Sequence, residues 1–245
     1  MDKLYIIIPA YNEEATIRDV IDEWYPMVVM AGSESRLVII DDGSRDRTLK
    51  TVEKEAANKP QLIVKTQDNS GHGATILAGY RFALEQGADY VFQTDSDGQT
   101  RASEFPDFWR MRRQYDMVVG CRNKRQDGLS RVFVTKVLKL VVLLCFHVSV
   151  KDANTPFRLM SAKTLSKKIG LVPKDFFLTN VLLTVIYTKH KCKIKFVPIT
   201  FRPRQGGVNS INMKRIFGIG KNALKDFFRL NKTIDAAYKG ESEEI

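Results

Sequence analysis

An α/β protein, with a mainly parallel central sheet and helices on both faces, is predicted by three observations. Short β-branched runs alternate with helical patterns over the first two-thirds of the chain. Most of the strand runs end abruptly in carboxylates or other polar residues, as strands do when their carboxyl ends meet a ligand. The length of 245 residues, with 44% hydrophobic and 27% charged residues, fits one large domain with a full core and excludes wholesale disorder.

The elements follow in order. Leu4–Pro9 reads as a strand followed by a helix from about Glu13, and Leu37–Asp41 as a strand followed by a helix from about Asp46. Leu62–Thr66 leads through a glycine-bearing turn to a helix around Ala74–Glu85. Tyr90–Thr94 precedes a helix around Glu104–Arg113, and Met117–Gly120 closes the series. Between Leu129 and Val150 an apolar helix carries a basic flank: Arg131, Thr135, Lys136 and Lys139 share one side, Phe133, Val137, Leu140, Val141 and Leu144 the other. A helix at about Leu178–Lys189 and a strand at about Lys193–Phe201 come next. A basic amphipathic helix is expected at about 212–232, with a tail over 233–245. The single domain of 1–232 would thus comprise a first half at about 1–122, a second half at about 123–211, and that helix.

Net charge and cysteine content narrow the setting. A charge of +11 implies a polyanionic partner: nucleotide, phosphorylated acceptor, nucleic acid or anionic membrane face. No RRM, KH, helix-turn-helix or zinc-finger pattern is present, so nucleic acid is not expected. Cys121, Cys145 and Cys192 are odd in number and widely spaced, which points away from a disulfide framework and toward the cytoplasm. The first residues pass directly into a strand, leaving no room for a signal peptide, and Leu140–Val150 is half of the ~20 residues a spanning helix needs. The apolar helices suit docking on an anionic membrane, packing on the core, or a homodimer seam.

The chemistry concentrates at the strand ends. Pro9-Ala-Tyr11-Asn12-Glu13, Asp41-Asp42-Gly43-Ser44, Asp95-Ser96-Asp97 and Gly120-Cys121-Arg122 reach one sheet edge, and three of the four bear carboxylates. Asp95 and Asp97, two apart, offer hard oxygens to one small divalent cation, Mg²⁺ or Mn²⁺, with Gln99 as a neutral third ligand. A polar Asx-type turn is the alternative reading of the same residues. Asp42 is placed to hold a base or ribose and Glu13 a base edge, while a helix cap leading to Asp46 competes for the same stretch. The dinucleotide-binding glycine pattern and the P-loop are both absent. Gly71-His72-Gly73 reads as a turn or substrate-approach loop, with His72 a minor candidate for substrate contact. Arg202-Pro203-Arg204 before Gly206-Gly207 has the composition of a loop that closes over phosphates.

These motifs, in this order and joined by Asp152…Phe157-Arg158-Leu159, resemble the family 2 glycosyltransferases. Within them the chain is most similar to polyisoprenyl-phosphate glycosyltransferases of the dolichyl-phosphate mannose synthase kind, over roughly residues 3–230. The resemblance implies a Rossmann-like GT-A fold, a nucleotide-diphosphate sugar donor, a divalent cation, inversion at the anomeric carbon, and a polyprenyl phosphate or saccharide acceptor. It implies that Pro9, Tyr11, Glu13, Ile40 and Asp42 hold the nucleoside, that Asp95, Asp97 and Gln99 hold the metal, and that Arg122 and Arg204 contact the diphosphate. The catalytic set would then be Asp152 as general base, Asp97 and Arg122. The loop Gln205-Gly-Gly-Val-Asn-Ser-Ile-Asn-Met-Lys214 departs from the synthase pattern, which carries a lysine after a Gly-x-Ser; the donor sugar stays open. Such a protein would work in the cytoplasm, peripherally on the membrane face if its acceptor is a lipid.

Overall fold

The computed structural model describes residues 2–122, 129–203 and 226–240, the side chains of 122 and 129–135 excepted. Its seven-stranded sheet comprises β1 (Leu4–Ala10), β2 (Arg36–Asp41), β3 (Leu62–Thr66), β4 (Tyr90–Gln93), β5 (Met117–Arg122), β6 (Arg158–Ser161) and β7 (Ile194–Ile199), in the order β3-β2-β1-β4-β6-β5-β7. The helices are α1 (Ile17–Ala31), α2 (Thr48–Ala56), α3 (His72–Glu85), α4 (Phe105–Met111), α5 (Leu129–Phe146), α6 (Ala162–Lys168), α7 (Thr179–Lys189) and α8 (226–240).

All strand pairs are parallel except those of β6, which runs antiparallel to both β4 and β5. The mainly parallel sheet is therefore as the sequence predicts, whereas β6 and α6 are additions. A four-residue strand with an arginine at its head carries no apolar period to reveal it.

Alternation along β1 divides the core in two. Leu4, Ile6 and Ile8 pack with Ile17, Val20, Ile21 and Trp24 of α1 and Phe105 and Phe108 of α4. Tyr5 and Ile7, pointing the other way, pack with Ile76, Leu77 and Tyr80 of α3 and, farther along, with α5, α7 and α8. β1 is completely buried because helices cover both faces. Pro9 sits beyond the last β1–β4 pair, Ile7 with Gln93, so its missing N–H interrupts no hydrogen bond to β4.

Helix starts differ slightly from the sequence expectation. α1 begins at Ile17 rather than near Glu13, because Glu13–Thr16 form a turn in which the Thr16 and Ile17 N–H groups donate to the Glu13 carbonyl. At the other end of the chain, α8 extends to residue 240 and buries Ile234 completely, so 233–240 form part of a packed helix rather than a tail. The preceding part of the expected 212–232 helix, up to 225, lies outside the described residues. Phe227 of α8 packs on Phe146 and Phe176, at ring distances of 5.2 and 5.9 Å.

α3 approaches its neighbours through glycine. A Cβ on Gly79 would lie 2.4 Å from Ile7 Cγ2 and 2.7 Å from Ile40 Cδ1. One on Gly73 would lie 2.3 Å from the Phe176 carbonyl oxygen, a backbone atom that cannot rotate away. Gly73→Ala should therefore destabilise the protein by about 1–3 kcal/mol through overpacking, because the ~1 kcal/mol that alanine adds to helix propensity is smaller than the clash. Urea unfolding checks this; equal or greater stability would show that the α3–Phe176 contact is loose.

Candidate active site

Sheet order places the site. β2 and β3 lie to one side of β1 and β4 lies to the other, so the chain reverses its winding between β1 and β4. A crevice opens at such a reversal, beyond the carboxyl ends of the strands. Because β6 is antiparallel and begins opposite Gln93 and Val119, the segment leading into it, including Asp152, comes to this same edge.

Three strand-end loops are laced together there by side chains accepting from backbone N–H groups. Asn12 Oδ1 accepts from Arg45 N at 2.8 Å, and Asn12 N donates to Ser44 Oγ at 3.0 Å. Glu14 Oε2 accepts from Arg47 N at 3.0 Å, and Glu13 N donates to Thr48 Oγ1 at 2.8 Å. Asp46 accepts from the Thr48 N–H at 2.9 Å just before α2, whose N-cap position is Arg47 and carries no side-chain cap.

Asp42, 3% exposed, holds the third loop. Its Oδ1 accepts from Gln67 Nε2 at 2.8 Å and Ser70 N at 2.9 Å, and its Oδ2 from Gly71 N at 2.9 Å. Burial pushes this carboxyl up, and hydrogen bonds from Ser70, Gln67, Thr75 and Gly71 together outweigh it, leaving the group below the ordinary carboxylate range. Gly43, at φ +70°, lets the chain turn here, with Asn69 N only 2.9 Å from where a Cβ would sit.

Asp95 and Asp97 lie just past β4 in a turn, not on the extended strand. Asp97 Oδ1 accepts from Gln99 N at 3.1 Å, the Asx-type turn that the sequence offered as the alternative reading of these residues. Asp95 Oδ1 is buried and has no hydrogen-bond partner; His72 Nε2, at the start of α3, lies 3.7 Å away. A buried carboxylate oxygen without a donor is costly unless a cation occupies the position. Among the described residues, no three His, Cys, Asp or Glu side chains converge as a metal cage. The donor set on this turn, two carboxylates and an amide, matches Mg²⁺ or Mn²⁺ held by one or two carboxylates with substrate phosphates completing the shell.

The other expected site residues fall as follows. Tyr11 is 41% exposed at the edge, Glu13 is buried beside Thr16, which donates to its Oε2 at 3.1 Å, and Pro9 is buried in β1. Ile40 faces inward against α3, so its side chain belongs to the core. Gln99 donates its amide to the Arg202 carbonyl at 3.2 Å. Of the expected phosphate-closing loop, residues 204–207 lie outside the described residues; the Arg202 guanidinium donates to Glu23 Oε2 at 2.6 Å and to the Thr100 carbonyl at 2.5 Å, fixing the segment after the Asp95 turn. The Arg122 side chain and all of Arg204 lie outside the described residues. Asp152 is half-buried, and its charge reaches Cys121 at the end of β5.

Sequence reasoning gave no role to Gln67, Ser70 or Arg158. The run Gln67-Asp-Asn-Ser-Gly71 signals a turn, but nothing in it says that the turn is tied to Asp42. Behind the edge, Tyr80 Oη donates to Gln93 Oε1 at 2.5 Å, and full burial pushes the phenol well above its ordinary range.

A mainly parallel sheet with a winding reversal at a carboxylate-lined strand edge defines the class: a doubly wound α/β protein whose candidate site lies at that edge. Residues 5–167 match the family model described as glycosyl transferase family 2, and the chain belongs to that family. It is 26% identical over 198 residues, 80% of its own length, to undecaprenyl-phosphate 4-deoxy-4-formamido-L-arabinose transferase of Pseudomonas aeruginosa (strain LESB58). The enzyme of that name from Shewanella sediminis is 30% identical over 161 residues, 64% of this chain and 48% of that one. The chain spans 57% of the length of the Pseudomonas relative. In fold it resembles glucosyl-3-phosphoglycerate synthase from Mycobacterium tuberculosis, solved with Mn²⁺, UDP-glucose and phosphoglyceric acid, at a TM-score of 0.68, 18% identity, and coverage of 94% of this chain and 80% of that one. The GT-A fold expected from the sequence is thus the fold observed.

Asp42 yields a pH prediction. Its folded-state pKa is lowered, so its stabilisation is present above the unfolded value of about 3.9 and is lost as pH falls through the folded value. Asp42→Asn should cost about 1–3 kcal/mol at pH 7, and the difference from wild type should shrink toward zero in strong acid. Urea unfolding at the two pH values tests this; a gap independent of pH would mean that the loop is held by the other contacts.

Proposed function

We propose that the protein is an inverting, metal-dependent glycosyltransferase that moves a sugar from a nucleotide-diphosphate donor to a polyprenyl phosphate at the cytoplasmic face of a membrane. The observation that carries the reading is the buried, donorless Oδ1 of Asp95 at the winding reversal, in a member of glycosyl transferase family 2.

Tyr11, Glu13 and the loops laced by Asn12 and Asp42 form the nucleoside cradle, with Pro9 and Ile40 shaping it from beneath. Asp95, Asp97 and Gln99 hold Mg²⁺ or Mn²⁺, which when bound supplies Lewis-acid neutralisation of charge on the leaving diphosphate. Arg122 and Arg204 share that charge. The acceptor oxygen bonds to the anomeric carbon from the face opposite the diphosphate, whose bond to that carbon breaks. A phosphate monoester acceptor, with its second pKa near 6, is already anionic and requires no base. A hydroxyl acceptor does, and Asp152 is the base for it.

The lipid acceptor is supported by the names of the relatives and by α5. Val137, Leu140, Leu143 and Leu144 are all exposed, beside the exposed Lys136 and Lys139. Among the described residues no helix is long and apolar enough to cross a membrane, so the membrane contact proposed is peripheral.

Thermal unfolding with Mn²⁺ against UDP-, GDP-, dTDP- and CMP-sugars tests the donor reading. A ligand at a hundred times its dissociation constant adds about 2.7 kcal/mol, and we expect one nucleotide to do so only with metal and only while Asp97 is intact. Stabilisation that persists in Asp97→Asn without metal would overturn the metal assignment. For the acceptor, Asp152→Asn should slow transfer to undecaprenyl phosphate by less than about tenfold and transfer to a sugar hydroxyl by several orders. Flotation should recover the protein with anionic but not neutral vesicles; failure on both, with transfer to a soluble saccharide, would replace the lipid acceptor with a glycoconjugate.

A further inference from the structure

The cost of burying a charge singles out Arg158. Its side chain is fully buried, and among the described residues no carboxylate lies within ion-pair distance of it. Among the described residues its hydrogen bonds go to neutral oxygens: Nε donates to Thr155 O at 3.1 Å, Nη1 to Asn180 O at 2.9 Å and Thr184 Oγ1 at 3.3 Å, and Nη2 to Thr155 O at 2.7 Å and Ala153 O at 3.0 Å. The Thr184 hydroxyl has one proton to donate, with Asn180 O at 2.8 Å and Ala153 O at 3.1 Å as its acceptors. Desolvating a guanidinium without a counter-ion beside it is expensive. A chain that needed only to fill this space would do so with apolar atoms.

What the guanidinium joins explains its retention. Phe157, the residue before it, points to the opposite face and packs on Phe92 and Phe108, each at 4.8 Å, so the strand head is fixed on both sides. The planar fork then gathers the carbonyls of 153 and 155 and ties them to the first turns of α7. Asp152 immediately precedes this gathered backbone. Burial lowers the affinity of Arg158 for its proton, while Tyr80, Asp152, Asp95 and Tyr187 raise it.

We infer that Arg158 is a positioning residue for the acceptor side of the site, its buried guanidinium fixing the backbone of 153–155 and so the place of Asp152 at the strand edge. This rests on the transferase reading given above. Arg158 touches no substrate; it acts through the segment it holds, and a displacement of about 1 Å in such a segment can slow a reaction about a hundredfold.

Two variants test it. Arg158→Lys keeps the charge but loses the planar fork and most of its donors, and Thr184→Val removes one shared partner with little change in volume. Hydrogen exchange over 152–157 should accelerate in both while exchange in β1 and β2 stays at wild-type rates. Manganese-dependent stabilisation by UDP, or by whichever nucleotide the panel selects, should be unchanged. Turnover onto a sugar hydroxyl, the acceptor for which Asp152 is the base, should fall by about tenfold or more in Arg158→Lys, in kcat and not in the donor KM, and turnover onto undecaprenyl phosphate by less. Wild-type exchange over 152–157 in both variants overturns the inference, and so does a parallel loss of nucleotide binding, which would mark a general structural role. Asp152→Asn, measured alongside, judges the base separately: its silence removes that assignment, while exchange and kcat still decide for or against Arg158.

Discussion

Parallel strands that end together leave backbone N–H groups facing outward, and each must find an acceptor or remain in water. Here side chains of neighbouring loops supply those acceptors, and the rest of the site depends on this exchange. Asn12, Glu14, Asp42 and Asp46 each accept from a backbone N–H, three of them from a loop other than their own and Asp46 from both its own loop and that of Glu14. The result is a rim whose loops cannot shift singly. Loops ordered by one another in this way add little ordering cost to the binding of a ligand.

The two faces of the sheet divide the work. Beneath α1 and α4 the core is aromatic and apolar, with Trp24, Phe92, Phe105, Phe108 and Phe157 in mutual contact. Beneath α3 and α7 a polar layer lies behind the edge: Tyr80, Gln93, Asn180, Thr184 and Arg158. Such a layer is costly unless nearly every member is satisfied, and it defines one arrangement where an apolar core would tolerate several. The rim of the strand edge is thus set by loops, and the layer behind it by buried polar groups.

Much of this was legible in the sequence because it is written locally. Strand runs, their carboxylate endings and the absence of a glycine-rich phosphate loop all lie within windows of a few residues, and they gave the sheet, its edge and Asp95 with Asp97. What could not be read is written between distant residues. The pairing of Arg202 with Glu23 joins positions 179 apart, and it turns a residue with the composition of a phosphate ligand into a brace. The inward direction of Ile40 follows from the closeness of α3, which depends on Gly79. β6 escaped because an arginine in a buried strand contradicts the apolar pattern by which strands are recognised; the acceptors at 153, 155, 180 and 184 make it tolerable.

The place of β6 also bears on how the chain is made. β1 to β4 can pair as soon as they leave the ribosome, since each has its neighbour earlier in the chain or close by. β5 cannot: β6 separates it from β4 and is synthesised some 36 residues after β5 ends. Until residue 161 emerges, β4 therefore presents an open apolar edge and β5 is stranded beyond it, the interval in which a nascent chain of this kind most needs a chaperone.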